Sequence, residues 1–243
     1  MRTWGMTDKG VVRKDNQDAY DVRLVNGFTS AIVCDGMGGT TGGRLASTTA
    51  VEHYQQELEK RLHAGMTVQE MIQTLHESVT QANQAVRAKA AEDPELQHMG
   101  TTLVSAVVGQ GMTVVANVGD SRAYQISRSG IHQISRDHSV VEDMVERGEL
   151  TAEQAKSHPR RNLITRALGP DDPVRADTFE VALEQGDFIL LCSDGLVNTV
   201  SDQEILFEVI HNGEPDTCLE RLVALSKQRG APDNVTAVLL MNI

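Results

Sequence analysis

The sequence lacks any apolar stretch long enough to cross a bilayer. Its longest uninterrupted apolar runs are short pieces such as Phe188–Cys192 and Ala237–Met241, whereas a spanning helix takes about 20 residues. No apolar core follows the opening Met-Arg-Thr-Trp-Gly, so no secretory leader is read there. Cysteine is scarce. Cys34, Cys192 and Cys218 are odd in number and lack metal-type spacing, which argues against a disulfide framework and a zinc site. Cys34 and Cys192 lie inside apolar runs and read as buried, inert thiols. Positive charge is also short: 22 Lys and Arg stand against 34 Asp and Glu, a net charge of −12. A generic binder of nucleic acid or anionic membrane would need a basic face. Repeats, low-complexity tracts and Pro/Ser-rich linkers are missing, as is the Gly-x4-Gly-Lys-Ser/Thr loop of nucleotide binders. These absences leave the expectation of a cytoplasmic enzyme or binding domain, monomeric by default, with no membrane insertion and no nucleic-acid partner.

What is present is the composition of an ordinary globule, 40% hydrophobic and 23% charged over 243 residues. A chain of this length buries roughly 70–75% of its extended surface, enough for one sizeable core. From Val68 the apolar residues Met71, Ile72, Leu75, Val79, Ala82 and Val86 recur at helical spacing. Thr67 with Glu70 predicts a capping box at that start. A second helix is expected over about 43–62, and others after Ser139, Thr151 and Ser201, with a last one over about 215–227. Strand-like runs are read at 2–7, 19–25, 29–34, 101–108, 113–118, 122–127, 131–134, 174–181, 187–192 and 235–241. Short turns such as Asn26-Gly27 and Ser129-Gly130 join several of them as antiparallel neighbours. The two long helices follow one another instead of alternating with strands, which favours α+β antiparallel sheets with helices outside.

The chemistry lies at strand ends. Ala31–Cys34 runs into Asp35-Gly36, Val114–Val118 into Gly119-Asp120, Phe188–Cys192 into Ser193-Asp194-Gly195, and Asp233-Asn234 precedes Val235–Leu240. A lone Asp-Gly is more often a plain turn. Aspartates that repeatedly abut core strands would crowd together, and crowded carboxylates take up protons unless cations neutralise them. Oxygen ligands without His or Cys favour Mg2+ or Mn2+ over Zn2+. Two such ions can acidify a water for displacement at phosphorus. Arg13, within Arg13-Lys-Asp-Asn-Gln-Asp18, offers a fork for two phosphate oxygens.

With these motifs in order, together with Thr7–Gly10, Met99–Thr102, Asp137–Ser139 and Asn162–Arg166, the chain resembles the metal-dependent protein phosphatases of the 2C type. Among them it is most similar to the small bacterial Ser/Thr phosphatases that oppose Hanks-type kinases. The resemblance spans essentially the whole chain. It implies a four-layer αββα sandwich: two stacked antiparallel sheets flanked by helices, one domain over residues 1–243 with a flap over about 137–172. It implies two core Mn2+ or Mg2+ ions and a third, weaker one. Asp35 then bridges the core pair, the Gly36 carbonyl ligates one ion, Asp194 and Asp233 ligate the other, and Asp120 serves the third. Asp18 acts through metal-bound water and Arg13 binds the phosphate. The implied reaction is direct attack of a metal-bridging hydroxide on phosphoserine or phosphothreonine in proteins, a partner Ser/Thr kinase among them.

The chain departs from the family in places. Met37 stands where some relatives carry a His proposed as the general acid, and Thr40 where many bacterial relatives carry another. Water at the metals is the first expectation for the leaving-group proton, and His158 the second; His138 and His158 otherwise read as structural. Gln17 replaces a glutamate common in eukaryotic relatives. Arg160, Arg161 and Arg166 in the flap are expected to favour phosphopeptides. Two rivals are a phosphoprotein-binding scaffold without activity and a hydrolase of small phosphate esters or nucleotides.

Overall fold

The computed structural model describes residues 1–211 and 215–243. In chain order it forms β1 (Arg2–Asp8), β2 (Asp18–Val25), β3 (Phe28–Met37), α1 (Gly39–Arg61) and α2 (Val68–Glu92). There follow β4 (Gly100–Thr101), β5 (Leu103–Gly109), β6 (Met112–Val118), β7 (Arg122–Ser127) and β8 (Gly130–Gln133). Then come α3 (Val140–Glu146), α4 (Ala152–Lys156), β9 (Asp177–Glu180), β10 (Phe188–Cys192) and α5 (Asp194–Val197). The chain closes with α6 (Asp202–Leu206), α7 (Cys218–Gln228) and β11 (Val235–Met241).

One sheet has the order β1-β11-β10-β7-β8; the other has β2-β3-β5-β6-β9, with β4 paired to β3. The pairings are antiparallel. Between the sheets Ala31, Val33, Val104 and Ala106 meet Ile189, Leu191, Val238 and Leu240. Alternate residues point outward. Ile32, Cys34, Leu103 and Val107 pack under Tyr54 and Leu58 of α1 and Met71 and Leu75 of α2. Leu190, Cys192 and Leu239 pack under Leu196, Leu219 and Leu222. Strands covered on both faces must be apolar on both, which is why β10 reads as a continuous run without alternation. The fold is the expected α+β sandwich of two sheets with helices on either side.

The helix caps form as read: Thr67 with Glu70, Thr151 with Gln154 and Ser201 with Glu204 close capping boxes, and Ser139 caps α3. Three expectations need correction. β3 continues to Met37 because Gly36 and Met37 pair with β4, so Asp35 lies within a strand instead of in a turn. α1 begins at Gly39, ahead of the expected start at about 43: a Cβ on Gly36 would stand 2.0 Å from the Gly43 carbonyl oxygen, so Gly43 already packs inside the helix against the strand. The strand read at 174–181 shrinks to β9, since Val174 and Ala176 turn into the core beneath the long helices.

Candidate active site

The sandwich leaves a cleft of about 420 Å³, lined by the end of β3 and by segments flanking β7, β10 and β11. β2 and β3 bring Asp18 and Asp35 into register opposite one another. Asp18 is buried, with 7% of its surface exposed. Its Oδ2 accepts the Ser193 hydroxyl at 2.8 Å, and the same Ser193 oxygen accepts the Thr236 N–H at 3.0 Å. Its Oδ1 has no partner among the described residues. Burial pushes Asp18 up to about 6, with hydrogen bonds from Thr236 and Ser193 opposing and the Asp194 charge adding.

Asp35 is fixed through its backbone. Its N–H donates to Thr102 Oγ1 at 2.9 Å, and its carbonyl accepts the Thr102 N–H at 2.9 Å and the Thr101 hydroxyl at 2.9 Å. Thr102 Oγ1 also lies 2.7 Å from Ser121 Oγ, tying the Asp35 strand to the Asp120 turn. Burial raises the Asp35 carboxyl well above the ordinary range, and Asp18, Asp194, Asp120 and Asp233 raise it further. Asp120 follows Gly119, whose φ of +103° and close approach to Thr102 require glycine. Burial pushes Asp120 up to about 8, with Asp194 and Asp137 adding.

Asp194 opens α5 and is raised by burial first and Asp233 second. Its Oδ2 accepts Asn198 Nδ2 at 2.9 Å, while Oδ1 has no partner among the described residues. Asp233 accepts Arg13 Nη2 at 2.6 Å, a bond that holds the guanidinium above its ordinary pKa. The loop carrying Arg13 is bracketed by Asn234, which donates to the carbonyls of Lys9 at 2.9 Å and Asp15 at 3.0 Å and accepts the Gln17 N–H at 2.9 Å. This bracket, like the roles of Thr102 and Ser193, escapes sequence reading because each partner is remote in the chain.

Arg13, Asp35, Gly36, Asp120, Asp194 and Asp233 line the cleft, and Asp18 lies buried behind Asp35. The acids share the cleft without converging on one point: among the described residues, no three His, Cys, Asp or Glu side chains gather as ligands of a single ion. Buried carboxylate oxygens without partners on Asp18 and Asp194, and an all-oxygen donor set, fit hard divalent cations.

Met37 lines the cleft and offers no proton. The Thr40 side chain lies outside the described residues. No histidine is among the described residues lining the cleft; His158 Nδ1 accepts the Arg160 N–H at 3.2 Å, and His138 is buried. Gln17 Nε2 donates to the Gly39 carbonyl at 3.0 Å, so its amide holds the first residue of α1. Arg160 and Arg161 are exposed and outside the cleft lining, which the same segment enters through Asn162 and Ile164. Arg166 is engaged: its Nη1 donates to Asp177 Oδ1 at 2.7 Å.

Comparison with known proteins fits this geometry. The family model described as protein phosphatase 2C matches residues 11–226. The chain is 36% identical over 237 residues to the serine/threonine phosphatase stp of Listeria monocytogenes, covering 96% of this chain and 93% of that one. It superposes on the S. agalactiae serine/threonine phosphatase with a TM-score of 0.93 at 30% identity, covering 100% of this chain and 99% of that one. The catalytic domain of the serine/threonine protein phosphatase PstP, solved in complex with 2 manganese ions, superposes at 0.82 with 31% identity, over 98% and 96% of the two chains. The protein is thus an enzyme of the Ser/Thr protein phosphatase class. Within that class it belongs to the protein phosphatase 2C family, which is metal-dependent. Among the described residues, no helix is long and apolar enough to cross a membrane.

Proposed function

We propose that residues 1–243 act as one catalytic domain that removes phosphate from phosphoserine and phosphothreonine in proteins by direct attack of water, reversing the work of a Hanks-type Ser/Thr kinase. The observation that carries this reading is the gathering of Asp35, Asp120, Asp194 and Asp233 in one cleft with Arg13, and of buried Asp18 behind Asp35. Asp35, the Gly36 carbonyl, Asp194 and Asp233 would hold two Mn2+ or Mg2+ ions, Asp120 with Asp194 a third, and Asp18 would act through water. When bound, these ions supply Lewis acidity that lowers the pKa of a water and neutralises charge on the phosphoryl group.

The protein's own groups do the rest. Arg13 turns its fork from Asp233 toward two phosphoryl oxygens. Direct attack is favoured over a cysteinyl intermediate because all three thiols are buried and their pKa values pushed up by that burial, Cys192 and Cys218 to about 12. With Met37 in the cleft, water supplies the leaving-group proton. Arg160 and Arg161 attract the phosphopeptide at the rim, while Arg166 braces the flap through Asp177. The decisive experiment measures phosphate release from a phosphothreonine peptide with Mn2+ and with chelator. Cation-independent release, or preference for nucleotides over phosphopeptides, overturns the reading.

A further inference from the structure

His138 is 4% exposed and does not line the cleft, yet it exchanges a reciprocal pair of hydrogen bonds with Gly119, the residue before Asp120. Its N–H donates to the Gly119 carbonyl at 2.9 Å, and its Nδ1 accepts the Gly119 N–H at 3.1 Å. Accepting at Nδ1 leaves the proton of the neutral ring on Nε2, which lies 3.2 Å from Asp177 Oδ2 and donates to it; Arg166 Nη1, also 3.2 Å from Nε2, donates instead to Asp177 Oδ1 at 2.7 Å. Burial keeps the ring below the ordinary histidine pKa, the Asp177 hydrogen bond opposing and Arg166 adding. The third contact faces the other way. The His138 carbonyl accepts the Thr165 N–H at 2.8 Å, beside the Ser139–Ile164 bridge and the Val140 N–H to Leu163 carbonyl bond at 2.9 Å. This returning limb is the one that delivers Asn162 and Ile164 to the cleft wall.

Gly119 needs an outside hold. Its φ of +103° belongs to glycine, whose backbone is the freest of all residues when released. Asn117 helps from one side, donating to the Gly119 carbonyl at 3.2 Å and to the Arg136 carbonyl at 2.8 Å. Among the described residues, only the His138 ring takes the Gly119 N–H.

We propose that His138 is a positioning residue that locks the Gly119–Asp120 turn and the returning limb at 163–165 into one unit, so that the Asp120 carboxylate and the cleft wall at Asn162 and Ile164 are set together. The coupling to cations rests on the assignment of Asp120 under the proposed function; the coupling of turn and limb does not.

Two variants separate positioning from mere core filling. In His138→Asn the side-chain oxygen falls near the place of Nδ1 and still accepts the Gly119 N–H. In His138→Gln the amide reaches toward Asp177 and leaves Gly119 without an acceptor. Calorimetric titration of chelator-stripped protein with Mn2+ is expected to show the weakest site reduced roughly 10-fold or more in His138→Gln, as for groups that orient a ligand, with His138→Asn within about 3-fold of the parent. Equal affinities in the parent and His138→Gln, or equal losses in both variants, overturn the proposal. Asp120→Asn is the control: if it weakens no Mn2+ site, the cation assignment fails on its own. Amide hydrogen exchange of the unaltered, metal-free protein needs no variant. Gly119 and Thr165 amides are expected to share one protection level and to open together. Exchange at Thr165 more than about 10-fold faster than at Gly119 means turn and limb are separate, and the proposal falls.

Discussion

Asp18 and Asp35 stand directly opposite each other across the β2–β3 ladder, two acidic residues in register, one lining the cleft and one buried behind it. Like charges so placed destabilise a sheet, and both groups hold protons above the ordinary carboxylate value of 3.8. The arrangement costs stability until something positive arrives.

That cost has a pH signature. Asp18 keeps its proton up to about 6 and Asp120 up to about 8. Folded protein therefore binds more protons than unfolded chain from about pH 4 upward, and stability of chelator-stripped enzyme falls as pH climbs through 6 toward 8. Asp18→Asn is expected to stabilise stripped enzyme at pH 8 by on the order of 2–3 kcal/mol. Mn2+ is expected to raise Tm more at pH 8 than at pH 5, since it must displace those protons at low pH. Thermal melts across that range test both; a stripped enzyme whose Tm rises from pH 5 to pH 8 contradicts the assignment.

Asp35→Ala and Asp194→Ala are expected to lower phosphopeptide turnover by roughly 10²–10³-fold or more, the scale of losing a group that sets charge stabilisation at the reacting centre. Circular dichroism should show the fold retained. Near-normal turnover in either variant would remove that residue from the metal set.

Arg13→Lys keeps the charge and loses the fork. The expected loss in kcat/KM is about 10–100-fold, because an ammonium cannot bind two phosphoryl oxygens as a planar guanidinium does. Steady-state kinetics with a phosphothreonine peptide is the measurement, and a lysine variant matching the parent rules out bidentate binding.

Arg160 and Arg161 should matter for long substrates alone. Replacing both with alanine is expected to reduce phosphopeptide turnover about 10-fold at low salt, the low end of electrostatic steering, and aryl phosphate turnover by less than about 2-fold. Equal effects on the two substrates would dispose of a docking role.

Asn234→Ala strips the bracket from the Arg13 loop and leaves the Gln17 N–H and the carbonyls of Lys9 and Asp15 without their partner. A stability loss of about 1–3 kcal/mol is expected in urea denaturation, with kcat/KM lowered as Arg13 loses its place. A variant as stable as the parent shows that water replaces the bracket.

Much of this architecture is written locally in the chain. The caps at Thr67, Thr151 and Ser201 need only residues three positions away, and they form as read. The apolar runs ending at Cys34 and Cys192 mark strands covered on both faces, and the aspartates that follow them reach the cleft. Remote pairing is what hides the remainder. Asp35 stays in strand because Gly100 and Thr101 extend the ladder from a segment beyond two helices. Val174 leaves its expected strand for a core built by helices a hundred residues earlier. Arg166, one of the flap arginines expected to favour phosphopeptides, pairs with Asp177, a partner no local pattern announces.

The sheet order has a further consequence during synthesis. β11 lies between β1 and β10, so β1 waits for a strand made long after it. Asp233 and Asn234 arrive on that same closing segment. A nascent chain still missing it lacks the Asn234 side chain that brackets the Arg13 loop, and a message cut short upstream of Asp233 is expected to yield a product without phosphatase activity.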